Sequence, residues 1–167
     1  MSFRKISTRD IQDNFLKLIN EDTMLLTAGN RESLNTMTAS SGGVGNFWRR
    51  DVAYCYIRPG RYTKEFVERE DYFTLSFFDE TFKPALTICG RKSGRDTDKV
   101  AEAGLTPAFA NCGAPYFAEA RLVLVCKKIY VEDIDPEKFL DPTMHDWYPR
   151  KDYHRLYIGE IVEVLAK

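Results

Sequence analysis

The chain has 167 residues, 44% of them hydrophobic and 29% charged, with a formal net charge of −1. That size suits one domain with a sizeable core. The near-neutral balance gives no electrostatic basis for binding nucleic acid or an anionic membrane, and no apolar run approaches a bilayer span.

The opening stretch, MSFRKISTRD, is polar and reads as lacking a secretory leader. Ser7 and Thr8 precede Ile11, Phe15, Leu18 and Ile19, whose helical spacing predicts a first helix over residues 8 to 20. Met24–Ala28 reads as a short buried strand closed by Gly29-Asn30, with Asn35–Ser41 as its hairpin partner. The glycine-rich segment Ser41–Asn46 reads as a flexible loop, and Trp48 beyond it as a core residue. It is no dinucleotide fingerprint, because Trp48 stands where a third glycine is required and no βαβ unit surrounds it. Val52–Arg58 is a third strand stopped by Pro59-Gly60; Thr63–Arg69 is a short helix capped by Thr63; Tyr72–Phe78 is a fourth strand.

The segment Cys89–Asp96 lacks the spacing of a triphosphate-binding loop, so Arg91, Lys92 and Arg95 read first as a charged surface turn and second as phosphate contacts. Asp96–Ala103 has the signals of a helix, with Asp96 as cap, Gly104 as stop and Pro107 beyond. Phe117–Val131 reads as a strand or bent strand pair, and Leu156–Leu165 as the last strand. Between them Ile134–Tyr153 reads as an ordered excursion, since it carries Phe139, Trp147, Tyr148 and Tyr153 along with three prolines. About six strands with short helices and little βαβ alternation predict a single domain over residues 1–167, mainly β and mostly antiparallel, closed as a barrel. The four cysteines are far apart with no C-x-x-C pair, which predicts reduced thiols, a cytoplasmic setting and no structural zinc; Cys55 and Cys126 fall in apolar runs and read as core.

Three features carry chemistry. Residues two apart on a strand share a face, so Thr36, Thr38 and Ser40 point together while Met37, Ala39 and Ser41 point away. Hydroxyls and backbone amides both donate and accept, which suits a ring edge of mixed nitrogen and oxygen; the same pattern fits a solvent-facing strand. Arg58, Arg61 and Thr63 flank Pro59-Gly60 before a helix and suit a monophosphate, although arginines of this kind are also common solvated surface. His154, beside Tyr153 and near Tyr157, stands where it would donate to a cofactor or substrate; a structural histidine is the plainer reading. No Ser-His-Asp set and no paired carboxylates are identifiable, so no catalytic acid–base residue is expected.

In this order the blocks TMLLTAGN, NTMTASSGG, VAYCYIRPGRYTKEF, YFTLSFF, SGRDTDKVAEAGLTP and HRLYIGEIV resemble the flavin reductase-like, FMN-binding split-barrel family, especially its flavoredoxin-like branch. The most specific markers are M-T-A-S-S, here Met37 to Ser41, and H-x-L-x-x-G-E, here His154 to Glu160. The resemblance implies a homodimer of six-stranded antiparallel split β-barrels with FMN, rather than FAD, near the subunit interface. It implies flavin contacts from Thr36, Met37, Thr38, Ala39, Ser40 and Ser41, then from Tyr56, Ile57 and Arg58, from Arg61, Tyr62 and Thr63, and from Phe77 and Phe78. His154 and Tyr157 would face the ring and the approach of NADH or NADPH. The expected activity is NAD(P)H-dependent flavin oxidoreduction. A flavin-bearing electron carrier served by a protein partner is the second reading, and a cofactor-free interaction module the third.

Overall fold

The computed structural model describes residues 2–167. Strand β1 (Arg4–Ile6) leads into a 3-10 turn over Thr8–Asp10, and α1 (Phe15–Lys17) runs into a π turn over Leu18–Asp22. The single helix expected over residues 8 to 20 is therefore two turns with an extended break. Ser7 and Asp10 close a reciprocal capping box at the first turn, which leaves Ile11 extended. Asn14 Oδ1 then accepts from the Leu16 and Lys17 amides at 3.0 and 3.3 Å and starts the second turn. Thr8 and Arg9 are held by Asp51, and Asp13 by Arg121 at 2.8 Å, so tertiary anchors override the helical period.

Next come β2 (Met24–Gly29) and β3 (Leu34–Ala39), the expected hairpin. The glycine-rich segment is not a loop: it forms β4 (Gly42–Phe47), paired with β5 (Arg50–Ile57). Its glycines serve close approach, because a Cβ at Gly42 or Gly43 would collide with the backbone or ring of Tyr54. Trp48 and Arg49 make the two-residue turn, with φ of 52° and 57°, as such a hairpin requires of both positions. Trp48 is consequently not core; it is 52% exposed and stacks on Phe47 at 3.9 Å.

After β5 come α2 (Thr63–Arg69), β6 (Tyr72–Phe77) and α3 (Lys83–Arg91), the last unforeseen in the sequence. Pro84 stands in the first turn of α3, and Ala85, Leu86 and Cys89 give it a buried face. Helix α4 is shorter than expected, Lys99–Glu102, because Asp98 rather than Asp96 caps it; Gly104, at φ 66°, ends it as anticipated. Strands β7 (Pro107–Phe109) and β8 (Pro115–Phe117) form a small ribbon, and β9 (Leu122–Asp133) and β10 (Arg155–Ala166) are the longest strands. The run Phe117–Val131 is thus divided between β8 and β9. The excursion between β9 and β10 is ordered, with 3-10 turns over Pro136–Lys138 and Pro142–Trp147.

Among the described residues the main sheet has eight strands, two more than the six expected, because β1 and β4 join it. All pairings are antiparallel in the order β3-β2-β6-β9-β10-β5-β4, with β1 on β10. The two ends of that path, β3 and β4, are joined by Ser40 and Ser41 alone. Three Cα steps span at most about 11 Å, so the sheet must curl until its edges meet. The edges meet without pairing, and the result is a split barrel, mainly β with short helices. Met24, Leu26, Phe73, Leu75 and Tyr157 fill its interior, and a second cluster with Leu25, Leu86, Phe117 and Val123 lies under α3.

Candidate functional site

The unpaired seam is where the predicted residues converge. The end of β3 faces the end of β5 across a cavity of about 180 Å³ lined by Met37, Thr38, Ala39, Ser40 and Ser41 on one side. Tyr56, Arg58, Arg61 and His154 line the other. Because β3 hydrogen-bonds only to β2, alternate amides and carbonyls of its outer edge are free for a ligand.

The hydroxyls expected at a ring edge have other duties. Thr36 is fully buried, its Oγ1 2.8 Å from Thr27 Oγ1 and 3.2 Å from the Leu26 carbonyl. Thr38 donates to the Leu86 carbonyl of α3 at 2.5 Å. The shared face of Thr36 and Thr38 is therefore the one α3 covers, and the polar groups left to the seam are Ser40, Ser41 and the strand backbone.

The cationic end is built differently from expectation. Arg61 donates from Nη1 to the Gly90 carbonyl at 3.0 Å, while its Nη2 is buried with no partner among the described residues. Lys99, only 3% exposed, donates to the carbonyls of Cys89 and Lys92 at 2.9 and 3.0 Å. Both line a cavity of about 160 Å³ with Gly60, Thr63 and Ser93, and among the described residues no carboxylate lines it. Burial and the Arg61 charge lower the Lys99 ammonium to about 8, and burial lowers Arg61 as well. Two desolvated cations cost several kcal/mol each unless an anion compensates them. Arg91 and Lys92 line the same cavity, so the segment read as a surface turn forms one of its walls; Arg95 stays at the rim, paired with Glu65 and over Tyr62.

Other expected residues are displaced. Arg58 shares the strand-edge cavity with Arg61 but does not line the cation cavity: it donates to Asp152 and to the Trp147 carbonyl at 2.9 Å each and lies 4.9 Å from the centre of the Tyr148 ring. Thr63 is not the helix cap, which falls at Tyr62; its buried hydroxyl accepts from Asn35 Nδ2 at 2.8 Å. Ile57 and Phe77 are fully buried core residues, and Phe78 packs on Phe82, so none of the three lines the seam. Tyr157 is also turned inward, its hydroxyl on Glu68, and so cannot meet a substrate. His154 does face the seam, held through Nδ1 to the Tyr148 hydroxyl at 2.7 Å. Burial, with the nearby Arg58 charge, lowers its pKa and keeps the ring neutral near pH 7.

Lys99 escaped sequence reading because nothing in a short Asp-Lys-Val-Ala turn marks a lysine as buried. Among the described residues no cluster of metal ligands occurs, all four cysteines are free, and no helix is long and apolar enough to cross a membrane. The seam thus offers an anion pocket, a polar strand edge and a histidine in series.

Residues 16–167 match the family model described as a flavin reductase like domain. No curated protein matches the sequence significantly. Among solved structures, an FMN-binding domain of flavin reductases-like enzyme from Shewanella baltica OS155 superposes with a TM-score of 0.71 at 20% identity, over 98% of this chain and 76% of that one. Flavoredoxin of Desulfovibrio vulgaris (Miyazaki F) gives 0.69 at 22% identity, over 98% and 77%. Nitrilotriacetate monooxygenase component B from Mycobacterium thermoresistibile gives 0.68 at 12%, over 87% and 69%. A family model spanning nearly all of this split barrel means that the chain belongs to the flavin reductase-like domain family.

Proposed function

We propose that the protein is an FMN-binding oxidoreductase that takes electrons from NADH or NADPH and passes them on through the flavin. The observation that carries the reading is the partnerless Arg61 Nη2 beside buried Lys99, in a cavity that shares Arg61 with the polar edge of β3. A phosphomonoester dianion supplies the missing counter-charge and acceptors. Arg61, Lys99 and Ser93 would hold the phosphate, and the backbone of Thr38 to Ser41 would meet the ring. FMN, when bound, supplies the hydride chemistry. The chain's share is to orient the ring against the strand edge and to keep neutral His154 at the approach. A homodimer in the cytoplasm is part of this reading.

The fold shared with a flavoredoxin favours a second reading, a flavin carrier that receives electrons from another protein. Freshly purified protein should be yellow, and FMN should bind far more tightly than riboflavin. Rapid mixing of the flavin-loaded protein with NADH or NADPH separates the readings: prompt bleaching supports the reductase, and an unreactive flavin supports the carrier. A colourless protein that ignores added FMN would sink both and leave an interaction module.

A further inference from the structure

The cation cavity holds a nucleophile as well as charge. Lys99 is buried on α4, and its Nζ donates to the carbonyls of Cys89 and Lys92, at 2.9 and 3.0 Å, where α3 ends. An ammonium has three N–H groups, and among the described residues the third has no acceptor. A neutral amine has two, both satisfied by those carbonyls, and its lone pair then lies on the side away from them. Without a bound anion the fold therefore suits the neutral amine, and it fixes the direction of the lone pair. Burial and the Arg61 charge act in the same sense, bringing the lysine from 10.5 to about 8. Near neutral pH far more of it is free amine than of a surface lysine, and desolvated lysines of this kind serve as nucleophiles.

What stands beside the amine selects the electrophile. Arg61 Nη2 is buried without a partner among the described residues, and Arg61, Ser93 and Gly60 border the same space of about 160 Å³. Among the described residues no carboxylate lines it, so an arriving dianion meets no like charge. The other lysine of the cavity, Lys92, is committed elsewhere, its Nζ paired with Glu102. The volume lies well below the roughly 300–1,000 Å³ of pockets that enclose a drug-sized ligand. A reactive ligand for such a space must therefore carry its anion and its electrophile close together. An acyl phosphate does so, because its carbonyl carbon is one oxygen away from phosphorus; a phosphorylated aldehyde sets the two farther apart.

We infer that Lys99 is an acylation site, taking a small acyl phosphate whose phosphoryl group docks on Arg61 and Ser93 and whose acyl group passes to the lysine. The N–C bond forms as the bond between the carbonyl carbon and the phosphate oxygen breaks. The phosphate leaves as hydrogen phosphate with the proton shed by the amine, and nothing is oxidised or reduced. The product is an uncharged amide, which removes one cation from the cavity and fills its space. The site stands on Arg61 and Lys99 alone; only its consequence, weakened FMN binding, rests on the flavin reading. The test treats the full-length protein, flavin-free and FMN-loaded, with acetyl phosphate and follows each lysine by peptide mass mapping. In the flavin-free protein Lys99 should be acetylated about tenfold or more faster than exposed Lys5 and Lys138, and inorganic phosphate should slow Lys99 alone. Arg61→Ala should slow Lys99 about tenfold or more with acetyl phosphate, but less than about threefold with N-acetoxysuccinimide, a donor without a phosphate. Lys99 reacting no faster than Lys5 and Lys138 would overturn the inference. So would equal slowing with both donors, which would reduce Arg61 to an influence on the basicity of the amine. Should Arg61→Ala not fold, indifference of the parent's Lys99 to inorganic phosphate would overturn it as surely. Bound FMN should protect Lys99 about tenfold or more, and rapid acetylation under saturating FMN would detach the flavin phosphate from this cavity. Acetylation of Lys99 in a protein that binds no FMN would sink the flavin reading and leave this one standing.

Discussion

At Arg61 and Lys99 the electrostatics work against the fold until an anion arrives. Arg61→Ala should weaken FMN by about 1.5–3 kcal/mol, the range of a hydrogen bond to a charged group, and leave riboflavin affinity unchanged in a fluorescence titration. Equal losses for both ligands would detach Arg61 from the phosphate. Lys99 adds a pH signature. Its ammonium is lowered from 10.5 to about 8, chiefly by burial and then by Arg61. Affinity for the phosphate should be flat between about pH 7 and 8, above the second phosphate pKa of about 6, and fall as pH rises through 8, because the lysine sheds its proton before the dianion can use it. Stability moves the other way. Between pH 8 and 10.5 the unfolded chain keeps the Lys99 proton that the folded chain sheds, so this group's own contribution to stability rises with pH, against the opposite slope of the buried Cys55, Cys89 and Cys126 thiols, which burial holds protonated in the folded chain. Urea melts of parent and Lys99→Met should therefore show the stability difference moving in the parent's favour as pH rises across that window. The sequence displayed Arg61 plainly, since a Pro-Gly stop followed by Arg-Tyr-Thr announces an anion-friendly turn. It could not display Lys99, whose burial is decided by α3 folding over it, nor the fact that Thr36 and Thr38 would spend their hydroxyls on Thr27 and Leu86.

Among elements, those whose pattern is local were legible and those set by neighbours were not. The β2–β3 hairpin, α2 and β6 follow from alternation and punctuation, and each lies within a residue or two of its expected place. Strand β4 was hidden because its glycines look like a loop, while their purpose is to pass under Tyr54. Its turn retains a local conflict, since Arg49 holds a left-handed φ of 57° that an L side chain resists. Arg49→Gly should therefore stabilise the protein by about 0.5–1 kcal/mol, the left-handed penalty relieved less the added entropy of the unfolded glycine. Chemical denaturation measures it, and a loss of stability would mean that the arginine makes a contact worth more than the strain. The excursion behaves as an element in its own right, and its clasp is partly exposed: the side chains of Arg58 and Asp152 are 31% and 35% accessible. Asp152→Ala should thus cost under about 1 kcal/mol of global stability. Amide exchange within residues 134–153 should nonetheless speed markedly, because Arg58 then loses its carboxylate anchor in the excursion. Unchanged exchange there would show that the stack of Phe139 on Tyr148 alone holds the excursion.

For the whole molecule, the barrel depends on the long β9–β10 pair bending enough to bring β3 and β4 to one seam. The register between β9 and β10 shifts between Ile158 and Gly159 and again between Ile161 and Glu163. A Cβ on Gly159 would lie 2.7 Å from Cys126 Cβ and 2.8 Å from the Phe73 ring. Both neighbours are fully buried, so neither can swing out to make room. The glycine of H-x-L-x-x-G-E is thereby explained by barrel closure rather than by chemistry at the seam, while the histidine five residues earlier is placed at the seam by the same strand. Gly159→Ala should destabilise the protein by about 1–3 kcal/mol, the usual cost of overfilling a packed core. Phe73→Leu shortens one of the two obstacles, so the double variant should lose less than the two single losses combined, by about 0.5 kcal/mol or more. Urea unfolding of the four proteins closes that cycle. FMN titration of the same set should show affinity falling with Gly159→Ala although residue 159 touches no seam cavity, because a displaced β10 carries His154 with it. Full additivity in the melts, or an unaltered FMN affinity in the destabilised variant, would separate barrel closure from the seam and undo the link drawn between them.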